Sequence, residues 1–255
     1  MSAADDHPFP SGLPAWKTCL DIESRDGDHY FDFSNEPLFN LIKGEEPRRV
    51  LELGCAGGMF GAKIKERFPA AAVIGIEANR AAAAKAESRL DRVVCSRLET
   101  VDFAAAGLKP GEIDLVIAAD ILEHLVNPWD LLVKLKPYLA RNAIIAASIP
   151  NVRNLELVSR LLQEGYWEYA ERGLLDITHL RFFTFKGIRE MFEGTGYAIE
   201  GFAMTLSRSL ADTYQQNKGR PAVTIRIGRL TFENITQEEL GELCAEQFLL
   251  RVRPA

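Results

Sequence analysis

The sequence predicts an α/β fold, a mostly parallel sheet with helices on both faces. Three observations predict it. From Arg49 onward short apolar runs alternate with helix-length segments, the pattern of strands buried on both sides. The first run, Arg49–Leu53, opens into a glycine-rich turn, Gly54-Cys55-Ala56-Gly57-Gly58, which lets a ligand approach the backbone closely and aims the N-terminus of the following helix at it. Polar residues gather just after the strands, at the edge where open α/β sheets bind ligands.

Residues 1–47 are read as a tail and lid, and residues 48–255 as the main domain. Residues 1–14 are rich in Pro, Asp and small residues and are expected to be loose. Residues 15–34 mix Trp16, Tyr30, Phe31 and Phe33 with acids; these aromatics cover either the core or the ligand, and Tyr30 is assigned to the substrate. Residues 36–43 form a short helix capped by Asn35 before Pro37. The first strand leads to a helix over residues 60–68. Ala72–Glu77 is the second strand, residues 80–90 an alanine-rich helix, Arg92–Cys95 the third strand and residues 113–118 the fourth. Residues 129–139 form a helix with its cap signal at Asn127-Pro128, and residues 143–148 are the fifth strand. An insertion fills about residues 150–185. It starts with a helix over residues 155–165 and continues with Tyr166-Trp167-Glu168-Tyr169, aromatics that either stack on a sugar ring or pack. Then come a helix over residues 186–194, a sixth strand over 197–205, a polar loop or short helix over 206–221 and a strand over 224–232. A helix over 236–246, opened by the capping box Thr236-x-x-Glu239, precedes a last strand over 247–253.

A carboxylate ending the second strand, Glu77, can accept two hydrogen bonds from ribose hydroxyls. Glu52-x-Gly54-x-Ala56-x-Gly58, Glu77 and Asp120-Ile-Leu-Glu-His124-Leu together resemble the class I S-adenosylmethionine (AdoMet)-dependent methyltransferases, with Ala56 replacing one glycine of the first motif. The resemblance implies a Rossmann-like fold with a seven-stranded sheet, the last strand antiparallel beside the sixth, and AdoMet as cofactor with S-adenosylhomocysteine as product. It places Gly54 and Gly58 near the methionine part, Glu77 on the ribose and Leu98–Glu99 beside the adenine. Glu52, Cys55, Ala56, Ala78 and Asp120 are assigned to the same cofactor site. Arg97 stands where many relatives carry an acid, so Glu99 is the substitute contact to the adenine amine. Ile149-Pro-Asn-Val-Arg-Asn154 and residues 173–184, Gly-Leu-Leu-Asp-Ile-Thr-His-Leu-Arg-Phe-Phe-Thr, resemble a bacterial branch often found beside glycosyltransferases in surface-polysaccharide pathways. That branch implies a hydroxyl of a sugar or glycan precursor as acceptor and a glycosyltransferase as partner.

Methyl transfer is an in-line displacement in which positioning does most of the work, and a hydroxyl nucleophile also needs a base. Of the four histidines, His7 and His29 fall in the N-terminal part, whereas His124 and His179 lie in segments expected at the site. Both are catalytic candidates, and each could instead brace the loop that carries it. Asn151, Arg153, Asp176 and Arg181 are candidates for the substrate. Asp120, Glu123, His124 and His179 also have ligand types that suit a divalent metal, with a faint resemblance to metal-dependent small-RNA 2′-O-methyltransferases; consecutive Glu123 and His124 project differently on a helix, and no metal is expected. A nicotinamide dehydrogenase or a non-catalytic AdoMet-binding protein could also be built on such a fold.

Composition narrows the partners. The net charge is −6, with ten acidic and three basic residues in residues 1–47 and a remainder near neutrality, so no nucleic-acid footprint is expected. Cys19, Cys55, Cys95 and Cys244 form no Cys-x-x-Cys pair, which argues against zinc or a disulfide framework. No apolar run is long enough to span a membrane and no signal pattern opens the chain. Neither membrane insertion nor export is expected, and the expected location is the cytoplasm.

Overall fold

The computed structural model describes Cys19, Leu20 and residues 35–255. Apart from Cys19 and Leu20, the lid expected over residues 15–34, with His29 and Tyr30, lies outside these residues. Among the described residues the chain runs α1 (Glu36–Asn40), β1 (Arg49–Leu53), α2 (Met59–Arg67), β2 (Ala72–Glu77), α3 (Arg80–Ala86), β3 (Arg92–Cys95), β4 (Ile113–Ala119), α4 (Pro128–Leu135) and β5 (Leu139–Pro150). It continues through α5 (Leu155–Glu164), α6 (Phe185–Gly194), β6 (Tyr197–Leu206), α7 (Ala211–Asn217), β7 (Val223–Ile227), β8 (Leu230–Ile235), α8 (Gln237–Cys244) and β9 (Ala245–Pro254).

Seven strands form one sheet in the order β3-β2-β1-β4-β5-β9-β6, and β7 and β8 pair separately. The first five pair in parallel. β9 runs antiparallel between β5 and β6, as the resemblance implied. Side chains alternate across the sheet, so neighbours in one strand feed different cores. Leu51, Ile74, Val116 and Ile145 pack on one face with α4 and α6. Val50, Val73, Leu115 and Ile144 pack on the other with α1 and α2. Strand order reverses between β1 and β4, which opens a crevice at the carboxyl ends of the strands.

Departures from the sequence reading have local causes. The helix expected over residues 129–139 stops at Leu135 and ends in a 3-10 turn, Lys136–Tyr138, because Pro137 has no amide to donate and disfavours helix in the residue before it. The single strand expected over 224–232 is a hairpin that turns at Gly228-Arg229, with Gly228 at φ +56° and Ile227 paired to Leu230. This hairpin packs with α5, α7 and α8 around a third core that includes Leu155, Ile225 and Leu240, so the addition to the sheet includes residues between β6 and β9 as well as the expected insertion.

The glycine turn is shaped by tight packing. Gly58 caps α2 at φ +78°, a conformation cheap only for glycine. A Cβ at Gly61 would lie 2.6 Å from Glu52 Oε2 and 2.5 Å from Leu90, so α2 sits directly on the end of β1. Ala56 adopts φ +48° although it is not glycine, and its Cβ strains that conformation. Beneath the turn, Glu52 is buried; the Gly61 amide donates to its carboxyl, yet Oε2 has no partner. Burial, with a smaller contribution from the Glu77 charge, pushes its pKa up to about 8.

Relief of the left-handed strain can be measured directly. Ala56→Gly should stabilise the chain by about 0.5–1 kcal/mol, the strain removed less the extra unfolded-state entropy of glycine, as read from denaturant midpoints. Between the unfolded carboxyl pKa near 4.5 and the folded value of about 8, the folded state holds more protons than the unfolded state, so Glu52 makes stability fall as pH rises through that window. Glu52→Gln should flatten this decline and raise the melting midpoint at pH 8 more than at pH 5; equal shifts at both would show that Glu52 is not the group responsible.

Candidate active site

The crevice holds a cavity of about 410 Å³, a size typical of small-molecule sites. One half is built by the ends of β1, β2 and β3. Glu77 ends β2 and accepts the Ala56 amide at Oε2 (2.8 Å) and the Asn79 amide at Oε1 (2.7 Å). Its carboxylate therefore fixes the glycine turn against the start of α3 while lining the cavity. Burial raises its pKa, and the amide hydrogen bonds counter that rise. Glu52, Gly54, Cys55, Ala56, Ala78, Leu98, Glu99 and Asp120 also line the cavity. Of the expected cofactor residues, only Gly58 is outside the lining; it shapes the turn from behind, beside Ala86 and Leu90. Arg97 lies 3.7 Å from Glu99.

Asp120 closes this half. It too is left-handed, at φ +50°. Its Oδ1 accepts from Ser148 Oγ and Gln247 Nε2, each at 2.9 Å, and Asn35 adds a third side-chain bond. Burial raises its pKa against these bonds. A non-glycine residue held in this conformation by three elements is the kind of strain found at functional sites.

The other half is built by residues far apart in sequence. After β4 the chain makes a 3-10 turn, Leu122–His124. Residues 173–181 fold over that turn, with the Leu180 and Arg181 amides donating to the Glu123 carbonyl at 2.8 and 3.0 Å. This clamp brings the His124 and His179 rings to 4.7 Å between centroids. His179 Nδ1 faces the Leu174 carbonyl at 3.2 Å. His124 Nδ1 lies 3.0 Å from Thr178 Oγ1 and 3.3 Å from the Thr178 carbonyl. Asp176 Oδ1 accepts both the Thr178 hydroxyl (2.6 Å) and its amide (2.9 Å). Burial lowers the His179 pKa, opposed by the Asp176 charge. Glu123 is buried with no hydrogen-bond partner beyond its own amide, and burial, reinforced by Asp120 and Asp176 against that contact, lifts its pKa well above the carboxylate range.

The expected substrate residues separate. Asp176 lines the cavity; Asn151, Arg153 and Arg181 do not. Asn151 is buried and donates to the Glu242 and Ala245 carbonyls at 2.6 and 2.9 Å. Arg153 pairs with Glu242 at 2.6 Å. Arg181 donates to the Leu180 and Val126 carbonyls. Glu246 and Gln247, which sequence reasoning passed over, line the cavity because β9 is antiparallel and its beginning, rather than its end, reaches this edge. Arg172 and Leu174 also line it, and nothing in their sequence context marked them.

Among the described residues seven acidic side chains line the cavity, Glu52, Glu77, Glu99, Asp120, Glu123, Asp176 and Glu246, against two guanidiniums, Arg97 and Arg172, and burial holds Glu52 and Glu123 toward their neutral forms. Such a lining favours a cationic ligand. A turn that brings backbone close and an acid at the end of β2 add the features of a nucleoside site. AdoMet, a nucleoside carrying a sulfonium, fits this donor set.

Comparisons with known proteins agree. Residues 29–200 match the family described as methyltransferase domain. A trans-aconitate 2-methyltransferase of Escherichia coli strain K12 / DH10B is 30% identical over 153 residues, 56% of this chain and 58% of the relative. A malonyl-[acyl-carrier protein] O-methyltransferase of Geobacter sulfurreducens is 23% identical over 164 residues, 64% of this chain and 61% of the relative. The chain spans about half the length of the curated relatives it matches. Among solved structures, an Archaeoglobus fulgidus SAM-dependent methyltransferase superposes with a TM-score of 0.59 at 17% identity, covering 88% of this chain and 96% of its own. The plantazolicin methyltransferase BpumL in complex with SAH superposes at 0.54 and 16% identity, covering 85% and 79%. At these identities the two structures speak for the fold, and the family match speaks for kinship. The chain belongs to the class I methyltransferase-domain family, whose cofactor is S-adenosylmethionine.

Proposed function

We propose that the chain transfers the methyl group of AdoMet to an oxygen, a hydroxyl of a sugar or glycan precursor. The observation that carries this reading is the cavity with two distinct halves: the turn between β1 and α2 beside Glu77, and the Glu123–His124–His179 group facing it. Bound AdoMet supplies a methyl carbon on a sulfonium, which leaves with its bonding electrons remaining on sulfur.

The residues of the chain divide the work. Glu77 already presents both oxygens at the end of β2 and keeps lone pairs for ribose hydroxyls beyond its two amide bonds. The acidic lining favours the cationic cofactor over its neutral-sulfur product. His124 and His179 lie where an acceptor oxygen must be oriented and relieved of its proton. A lining with five more acids than guanidiniums suits a neutral polyhydroxylated acceptor better than an anionic one. Outside the cavity, Trp167 and Phe182 meet edge to face at 5.2 Å, and Phe182 lies 6.3 Å from the His179 ring; Tyr166 and Tyr169 are exposed nearby in sequence. These aromatics are suited to sugar-ring stacking. A glycosyltransferase acting on the same precursor is the partner this reading implies. A carboxyl acceptor is the second reading, supported by the names of the curated relatives and by Arg172 in the lining.

Glu77→Ala should weaken S-adenosylhomocysteine binding by tenfold or more, the scale of a hydrogen bond to a charged group, with an unchanged circular dichroism spectrum; unchanged affinity would remove Glu77 from the ribose. Incubation with isotopically labelled AdoMet and panels of nucleotide sugars, glycans and carboxylic acids should yield a base-stable methyl ether. A base-labile methyl ester would transfer the assignment to carboxyl acceptors. His179→Ala should lower turnover by about 10²–10⁴-fold while leaving S-adenosylhomocysteine affinity intact.

A further inference from the structure

The geometry points to a divalent-cation site formed by Glu123, His124 and His179 at the acceptor end of the cavity. It would take a divalent first-row metal ion, whose remaining positions hold the acceptor oxygen.

One potential ligand atom from each of the three residues lies within 4.8 Å of the other two. His179 Nε2 and Glu123 Oε1 are 3.9 Å apart, too far for a hydrogen bond. Bonds of about 2.0–2.2 Å to a common ion place ligand pairs about 3–4 Å apart, so small side-chain rotations complete the set. Two imidazoles and one carboxylate with open positions form a recognised donor set for divalent first-row metals.

The hydrogen bonds behind the ligands are those a metal site needs. A carbonyl can only accept, so the Leu174 carbonyl fixes the proton of His179 on Nδ1 and leaves the lone pair on Nε2, the atom that faces Glu123. Thr178 Oγ1 spends its proton on Asp176, so His124 Nδ1 donates to it, and the lone pair of His124 is likewise on Nε2. Backing of this kind, with Nδ1–H held by a carbonyl or by a chain that ends in a carboxylate, orients ligating histidines and raises their basicity.

Glu123 is the independent observation. Its side chain is 1% exposed, yet neither oxygen has a hydrogen-bond partner beyond a contact with the amide of Glu123 itself. A buried carboxylate without a partner is costly, and a cation held jointly with two imidazoles would offset that cost. A hydroxyl bound to that ion loses its proton to water more readily. Its oxygen then forms the new bond to the methyl carbon as the carbon–sulfur bond breaks with both electrons on sulfur. The role in methyl transfer rests on the function proposed above; the cation site itself does not.

The test uses the full chain, stripped with a chelator and titrated with Mn²⁺ by calorimetry and with Co²⁺ by visible absorption, with S-adenosylhomocysteine affinity measured on the same samples. One ion should bind per chain and should raise the melting midpoint. Glu123→Gln and His179→Gln should each weaken Mn²⁺ by tenfold or more while retaining S-adenosylhomocysteine affinity and the native circular dichroism spectrum. Failure to bind either ion by a chain that binds S-adenosylhomocysteine overturns the inference and leaves the methyltransferase reading in place, as does ion binding that both variants retain. Variant-sensitive ion binding without S-adenosylhomocysteine binding would support the cation site and overturn the methyltransferase reading.

Discussion

The site depends first on the carboxylate of Glu77. It ends a buried strand and accepts one amide from the glycine turn and one from the start of the next helix. Amides at such positions have no partner within their own elements. By accepting both, a single side chain ties the glycine turn to the start of α3, beyond the paired ends of β1 and β2. Gly61 completes the arrangement from below, where its missing Cβ allows α2 to rest on Glu52. This half of the cavity is therefore already shaped by the protein's own hydrogen bonds, which lowers the ordering cost of binding a ligand there.

The opposite half rests on a different principle. Its side chains come from one short turn after β4 and from residues 173–181, and the clamp between them is mostly backbone: two amides donating to the Glu123 carbonyl. The histidines are positioned by their Nδ1 contacts rather than by a regular element. Acceptor chemistry can then vary with loop sequence while the strand ends stay fixed, the usual division of labour in open α/β sheets.

The parts legible in the sequence were those set by short-range pattern. Apolar runs gave the strands, and the turn from Gly54 to Gly58 with Glu77 at the end of β2 marked one half of the cavity. The convergence of His124 and His179 was anticipated only through the resemblance, because no periodicity relates two loops more than fifty residues apart. The orphaned state of Glu123 was invisible, since it depends on what fails to surround the side chain. Asn151, Arg153 and Arg181 stand at the expected places in sequence, but their polar groups are engaged by backbone and by Glu242; the order of residues after strands does not say which way each one turns. Gln247 was missed because strand direction, which decides which end of β9 meets the site, is a tertiary property.

The position of β9 has a consequence for biosynthesis. It emerges from the ribosome after every other described strand, yet it lies inside the sheet, hydrogen-bonded to β5 on one side and to β6 on the other. Until it arrives, two strand edges that will be interior are open. Exposed edges of this kind invite pairing with other chains. The same strand delivers Gln247 to Asp120, so the nascent protein cannot assemble its binding crevice before its sheet is sealed against aggregation.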